Sequence, residues 1–196
     1  MAEVILFHHV AGLTEGVRSF ADRLRAGGHT VHTPDLFDGE TAATIDEGLA
    51  LVDRIGDEEL RSRGQAALAA LPVELVYGGF SYGSGMAQRF AQTRPGARGA
   101  LLYEGCLPLT GDWGVGPWPQ GLRAQVHGMD ADPFFALEGD LDSAWEIAAV
   151  AGPGVVEVFT YPGDKHLFTD SSLPAYDKDA TALVIERSVA FLDGLG

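Results

Sequence analysis

In Gly79-Phe80-Ser81-Tyr82-Gly83 a serine stands between two glycines, each two positions away. A strand-like run, Val73-Glu74-Leu75-Val76-Tyr77, leads into it, and a small-residue helical pattern, Ser84-Gly85-Met86-Ala87-Gln88-Arg89-Phe90-Ala91, follows. A serine on a sharp strand-to-helix turn is held in a strained backbone conformation, and its neighbours at two residues' distance must be nearly free of side chain to avoid collision. The turn exposes the hydroxyl at the positive end of a helix, where developing negative charge is stabilised. The chemistry this suits is nucleophilic attack.

A serine hydroxyl is a weak nucleophile near neutral pH and needs an adjacent base. Histidine fits, because a free imidazole exchanges its proton near pH 6.5. A carboxylate must then fix the tautomer of the ring and stabilise the transient imidazolium. In a parallel sheet of this kind the order along the chain is serine, acid, histidine. The sequence has six histidines. His8 and His9 end the first strand, His29 and His32 flank the second, and His127 falls inside a later one. His166 alone lies in a loop directly after the last strand, in Tyr161-Pro162-Gly163-Asp164-Lys165-His166-Leu167-Phe168, and is the candidate base. Activity is therefore expected to rise as an imidazole loses its proton, across roughly pH 6 to 8. The acid belongs after the preceding strand, where Val126-His127-Gly128-Met129-Asp130-Ala131-Asp132-Pro133-Phe134-Phe135 offers Asp130 and Asp132. Pro133 can fix the turn at Asp132, whereas Asp130 also suits a turn-forming role. For the oxyanion, the candidate donors are the backbone amides of Tyr82, directly after the serine, and of Val10, in the loop after the first strand. The pair His8-His9 with Asp35 or Asp38 admits a metal-site reading, but no ligand spacing supports it.

The elements that must position these residues alternate between strand and helix. Val4 to Val10 is a nearly continuous apolar run, as for a strand buried on both faces of a parallel sheet. A helix over Glu15 to Ala26 is capped by Thr14 and ended by Gly27-Gly28. A short strand at His29 to Thr33 stops at Pro34. Helices are expected over Thr41 to Ile55 and Asp57 to Leu71, a central strand over Val73 to Phe80, and strands at Gly99 to Glu104, Arg123 to Gly128 and Val155 to Tyr161. A helix over Asp179 to Leu192 closes the chain. This alternation predicts an α/β fold, a mostly parallel, doubly wound sheet in a single domain spanning residues 1–196. The irregular segment Leu107 to Gly121 follows a strand and belongs at the crevice rim, where ligands of open sheets sit. Its Trp113 and Trp118 either wall an apolar pocket or cover the edge of the core. Glu104, at a strand end, either contacts a cationic substrate group or pairs with a base such as Arg123.

Composition bounds the partners. The 196 residues carry 13 Lys plus Arg against 28 Asp plus Glu, a formal charge of −15. Such a field repels nucleic acid and anionic membranes. No segment approaches the roughly 18 apolar residues of a membrane span, and Met1-Ala2-Glu3-Val4-Ile5-Leu6-Phe7 lacks the basic start of a secretory signal, so a cytoplasmic location is expected. Cys106 is the single cysteine: it can form no intrachain disulfide and is expected to be a small buried residue. The sequence leaves the oligomeric state open between a monomer and a small homo-oligomer. A nucleotide-binding domain would need a phosphate-cradling glycine loop after the first strand, and His9-Val10-Ala11-Gly12-Leu13 lacks it. A binding or scaffold protein without catalysis is the other alternative, and three triad candidates argue against it.

With these segments in place, the chain resembles the dienelactone hydrolase family of α/β-hydrolases, nearly end to end. Thr33-Pro34-Asp35-Leu36-Phe37, the elbow from Gly79 to Ala87, Val126 to Phe135, and Tyr161 to Phe168 with the following Thr169-Asp170-Ser171-Ser172 carry the resemblance. It implies a compact α/β-hydrolase with a minimal lid, acting on a small ester, lactone or thioester with no metal or organic cofactor. It also implies Asp132 as the triad acid and His166 as the base. Three positions depart from the family pattern. Ser81 replaces the cysteine nucleophile of the founding enzymes, His9 stands where they carry a glutamate after the first strand, and Asp170 stands where an arginine binds the substrate carboxylate. A neutral or cationic ester is expected in place of an anionic one. His9, Glu104, Trp113, Trp118, Phe134 and Asp170 are the candidate pocket residues.

Overall fold

The computed structural model describes residues 1–195. Six strands, β1 (Glu3–Phe7), β2 (Thr30–His32), β3 (Leu75–Phe80), β4 (Ala97–Tyr103), β5 (Ala124–Met129) and β6 (Val156–Tyr161), form one sheet in the order β2-β1-β3-β4-β5-β6. Every adjacent pair is parallel, so the sheet is wholly parallel where a mostly parallel one was expected. Parallel neighbours need crossovers, which here carry helices α1 (Glu15–Ala26), α2 (Ile45–Ile55), α3 (Asp57–Leu68), α4 (Tyr82–Thr93) and α5 (Asp140–Ala151), with α6 (Lys178–Asp193) closing the chain.

The two-residue period of a strand divides its side chains between two cores. On one face Ile5, Phe7, Leu75, Tyr77, Leu102 and Val126 pack with Val52, Leu60, Met86, Ala87 and Ile147 from α2 to α5. On the other, Val4, Leu6, Val76, Leu101 and Tyr103 pack with Val17, Phe20, Leu24, Val184 and Phe191 from α1 and α6. Burial on both faces explains why β3 is buried at every residue and why these strands read as continuous apolar runs. The strand order reverses between β1 and β3, which lie side by side although β2 intervenes in sequence. The crevice beyond their carboxyl ends is where an open sheet of this type presents ligand-binding loops. Val10 follows β1 and Ser81 follows β3.

Helix α5 is absent from the sequence-based assignment. Thr14, Thr44 and Asp177 cap α1, α2 and α6 through their side chains, whereas α5 begins at Gly139 (φ 106°) with no side-chain cap. A glycine there does not advertise a helix start. The first strand also ends earlier than expected, at Phe7, because His8 to Val10 leave the sheet, and of these Val10 reaches the crevice wall.

Candidate active site

Ser81 joins β3 directly to α4, with φ 48° and ψ −114°, a region that a residue bearing a Cβ occupies only at a cost. Its amide donates to the Tyr103 carbonyl of β4 at 2.7 Å, which ties the turn to the sheet. The two flanking glycines are required by close approach. A Cβ on Gly79 would collide with the Gly83 carbonyl, and one on Gly83 would stand 2.5 Å from the carbonyl oxygens of Phe7 and His8. The elbow is thus pressed against the end of β1 as well as against itself.

The Ser81 hydroxyl lies 2.8 Å from His166 Nε2. His166 Nδ1 is 2.7 Å from Asp132 Oδ2. As a carboxylate can only accept, Nδ1 carries the ring proton and Nε2 is left to accept from the serine. Asp132 is fully buried, and its Oδ1 accepts from the amides of Phe134 (2.9 Å) and Phe135 (3.2 Å), so both carboxylate oxygens are engaged. Asp130, the other candidate acid, is a turn residue whose Oδ1 accepts from the Gly163 amide. Three side chains distant in sequence therefore meet in one hydrogen-bonded chain at the carboxyl ends of β3, β5 and β6.

Val10 and Tyr82 both border the crevice at Ser81. Tyr82 is the first residue of α4, so its N–H has no intrahelical acceptor. The Val10 N–H also donates to no backbone acceptor among the described residues. The Tyr82 phenol turns outward to Asp57 Oδ1 (3.0 Å), and burial together with that carboxylate raises its pKa.

A cavity of about 900 Å³ opens over Ser81 and His166. Its apolar wall includes Val10, Ile45, Met86, Phe90, Leu107 and Phe134, and its polar wall Asp57, Glu58, Arg61, Glu104, Glu138 and Asp140. The contributions of α2, α3 and α5 were not legible in the sequence, because no local pattern says which residue of a helix overhangs a distant strand end. Asp140 is the most consequential of these: it accepts from the Cys106 amide at 2.9 Å, and burial raises its carboxyl to about 6.

The candidate pocket residues divide. Glu104, Trp113 and Phe134 line the cavity, the Phe134 ring lying 4.7 Å from that of His166. Trp118 does not; it is buried in the core with its indole N–H on the Leu122 carbonyl, the edge-covering alternative. His9 and Asp170 do not line it either. His9 Nε2 donates to Asp170 Oδ2 at 2.8 Å, with both side chains buried behind the crevice. Glu104 does not pair with Arg123, whose guanidinium donates to the Gly194 carbonyl. Its Oε1 instead accepts from the amide and hydroxyl of Thr169, three residues beyond His166.

The alternative of a metal at His8 and His9 is also answered by hydrogen bonding. His8 Nδ1 donates to the His9 carbonyl and Nε2 accepts from the Leu36 amide, while His9 Nδ1 accepts from Ala11. All four ring nitrogens are thus engaged within the protein. Burial pushes His8 down to about 4, so it stays neutral in this role.

The comparisons with known proteins agree with this architecture. A dienelactone hydrolase described from Klebsiella pneumoniae superimposes with a TM-score of 0.76 at 17% identity, over 98% of this chain and 87% of that one. A dienelactone hydrolase-like promiscuous phosphotriesterase from metagenomic libraries gives 0.73 at 20% identity, over 100% and 87%. Thermogutta terrifontis esterase 2, in a form phosphorylated by paraoxon, gives 0.62 at 16% identity, over 100% and 83%. No curated protein matches the chain. The family model described as "Dienelactone hydrolase family" matches residues 1–195, and the chain belongs to that family of hydrolases.

Proposed function

We propose that the protein is a serine hydrolase that cleaves a small ester, lactone or thioester through an acyl-enzyme. The observation that carries this reading is the hydrogen-bonded chain Ser81–His166–Asp132, at 2.8 and 2.7 Å, with the serine on a strained elbow at a helix N-terminus. Ser81 Oγ attacks the substrate carbonyl and its proton passes to His166 Nε2. Asp132 holds the ring with Nδ1–H toward it and stabilises the imidazolium. The carbonyl oxygen becomes an oxyanion, received by the amides of Tyr82 and Val10 and favoured by the dipole of α4. His166 gives the proton to the leaving oxygen, then activates the water that releases the acid and restores Ser81.

Position 170, where the family resemblance implies a substrate-binding arginine, holds an aspartate that faces His9 and not the cavity, which favours neutral or cationic substrates over dienelactone-like anions. A screen of p-nitrophenyl acyl esters, lactones and thioesters against wild type and Ser81→Ala tests the proposal. Turnover that falls by several orders of magnitude in the variant is expected; an unchanged rate would refute it. A fluorophosphonate should label Ser81, as an organophosphate labels the Thermogutta esterase. A protein inert to both esters and probe would instead be a scaffold on the hydrolase fold.

A further inference from the structure

Resting on that hydrolase reading, the charges of the cavity identify which part of the substrate is recognised. His166 must deliver its proton to the leaving oxygen, so the leaving group lies against His166 Nε2. Glu104, Asp140 and Glu138 line the same cavity as His166; burial raises the carboxyls of Glu104 and Asp140, and a positive charge on the His166 ring opposes that rise in both. The two arginines of the cavity lie on other elements. Arg61 is on α3 near Asp57 and the Tyr82 phenol, and Arg89 on α4 is directed to the Trp113 carbonyl at 3.4 Å. The wall beside His166 is therefore acidic without a basic partner.

Glu104 supplies an independent sign of a missing group. Its residue is 1% exposed, it has a positive φ of 57°, and it forms part of the cavity wall. Oε1 is satisfied by Thr169, but Oε2 has no hydrogen-bond partner among the described residues. An unpaired buried carboxyl oxygen is costly, and a positive ligand brought alongside relieves that cost. Phe134, whose ring lies tilted 4.7 Å from that of His166, presents an aromatic surface to the same space, one that attracts alkylammonium groups.

We infer that the leaving alcohol of the preferred substrate carries a positive charge, so that the enzyme acts on esters of amino alcohols or quaternary-ammonium alcohols, with Glu104, Asp140 and Glu138 as specificity determinants and Phe134 beneath the cationic head. The reaction remains an acyl transfer. Ser81 Oγ forms the new C–O bond, the bond to the amino alcohol breaks, and the Ser81 proton leaves on the alcohol oxygen by way of His166. The cation itself undergoes no chemistry.

The test compares acetylcholine with 3,3-dimethylbutyl acetate, which has the same shape with carbon in place of the charged nitrogen. In wild type, kcat/KM should favour the charged ester about tenfold or more at low salt, a difference of about 1.4 kcal/mol, and the advantage should shrink in 0.5 M salt. Glu104→Gln, Asp140→Asn and the exposed Glu138→Lys should each lower that ratio. In a second readout independent of turnover, choline should protect Ser81 from a fluorophosphonate at lower concentration than 3,3-dimethylbutanol. A wild-type ratio at or below one, equal protection by the two alcohols, or a preference that appears only with trimethylammonium in the acyl chain would overturn the inference while leaving the hydrolase intact. Failure of Ser81 to react with ester or probe would instead remove the hydrolase reading.

Discussion

His9 and Asp170, 161 positions apart in sequence, meet through a 2.8 Å hydrogen bond that fastens the loop after β1 to the loop after β6. The first loop carries the Val10 amide and the second carries His166. Asp170 also accepts from Thr14 (2.5 Å) and from the Ser172 amide and hydroxyl (2.8 and 2.6 Å), so one buried carboxylate gathers the cap of α1 and both crevice loops. The tautomer of His9 follows: Nδ1 accepts from Ala11, so the proton on Nε2 faces Asp170. This position thus braces the site from behind.

Removing that carboxylate should destabilise the fold. Burial by itself raises the carboxyl of Asp170, but the hydrogen bonds from His9, Ser172 and Thr14 outweigh it and hold the group down to about 2. A folded-state value below the unfolded one contributes stability that is present above about pH 4 and lost as pH falls toward 2. The difference corresponds to about 2 kcal/mol. Urea unfolding of wild type and Asp170→Asn should therefore differ by about that amount at pH 6 and converge near pH 2. A gap independent of pH would show that the carboxylate's charge is not what stabilises the loops.

Asp132→Asn should leave the fold nearly intact while stopping most turnover. The Asn oxygen can still accept from the Phe134 and Phe135 amides, but its NH2 then faces His166 and favours the ring proton on Nε2, the atom that must accept from Ser81. A loss on the order of 10⁴ in kcat, with an unchanged unfolding midpoint, is expected. A loss below tenfold would mean that Asp132 does not set the tautomer.

How much of this was readable in the sequence depends on whether the signal was local. Glycine spacing around Ser81 reflects contacts within a few residues and the adjacent β1, and it located the elbow without a structure. The alternating strands were visible because burial on both faces makes β1, β3 and β4 apolar over most of their length. The direction of a side chain in a loop has no such signature. His9 and Asp170 were read as pocket residues because the family resemblance places substrate-side groups at those positions, yet each turns inward to the other. Trp118 likewise sits in the right segment but points into the core, while Trp113, five residues earlier, reaches the cavity. Asp140 escaped notice because its helix starts on a left-handed glycine.

Gly83→Ala tests the elbow through sterics alone. The added methyl would approach the carbonyls of Phe7 and His8 at 2.5 Å, forcing the start of α4, with the Tyr82 amide, away from β1. Backbone atoms cannot swing aside as a side chain would, so a loss of about 1–3 kcal/mol in stability is expected along with reduced kcat. Gly85→Ala, on the same helix but 3.3 Å from the Leu107 side chain, should be milder on both counts. Equal effects in the two variants would argue against the elbow contact.

Ser81→Cys asks whether the site can activate a thiol, and the protein contains its own control. A cysteine at 81 would sit at the N-terminus of α4 beside His166, an environment that lowers a thiol's pKa and favours thiolate. Cys106 lies in the wall of the same cavity but is 1% exposed, and burial, reinforced by Asp140, pushes its thiol up. Iodoacetamide at pH 7 should therefore modify the variant rapidly at position 81, and wild type slowly or not at all. Mass spectrometry of the labelled peptides separates the two sites. Labelling of Cys106 as fast as that of position 81 would show that access to the cavity governs reactivity, and that the field of α4 and His166 does not.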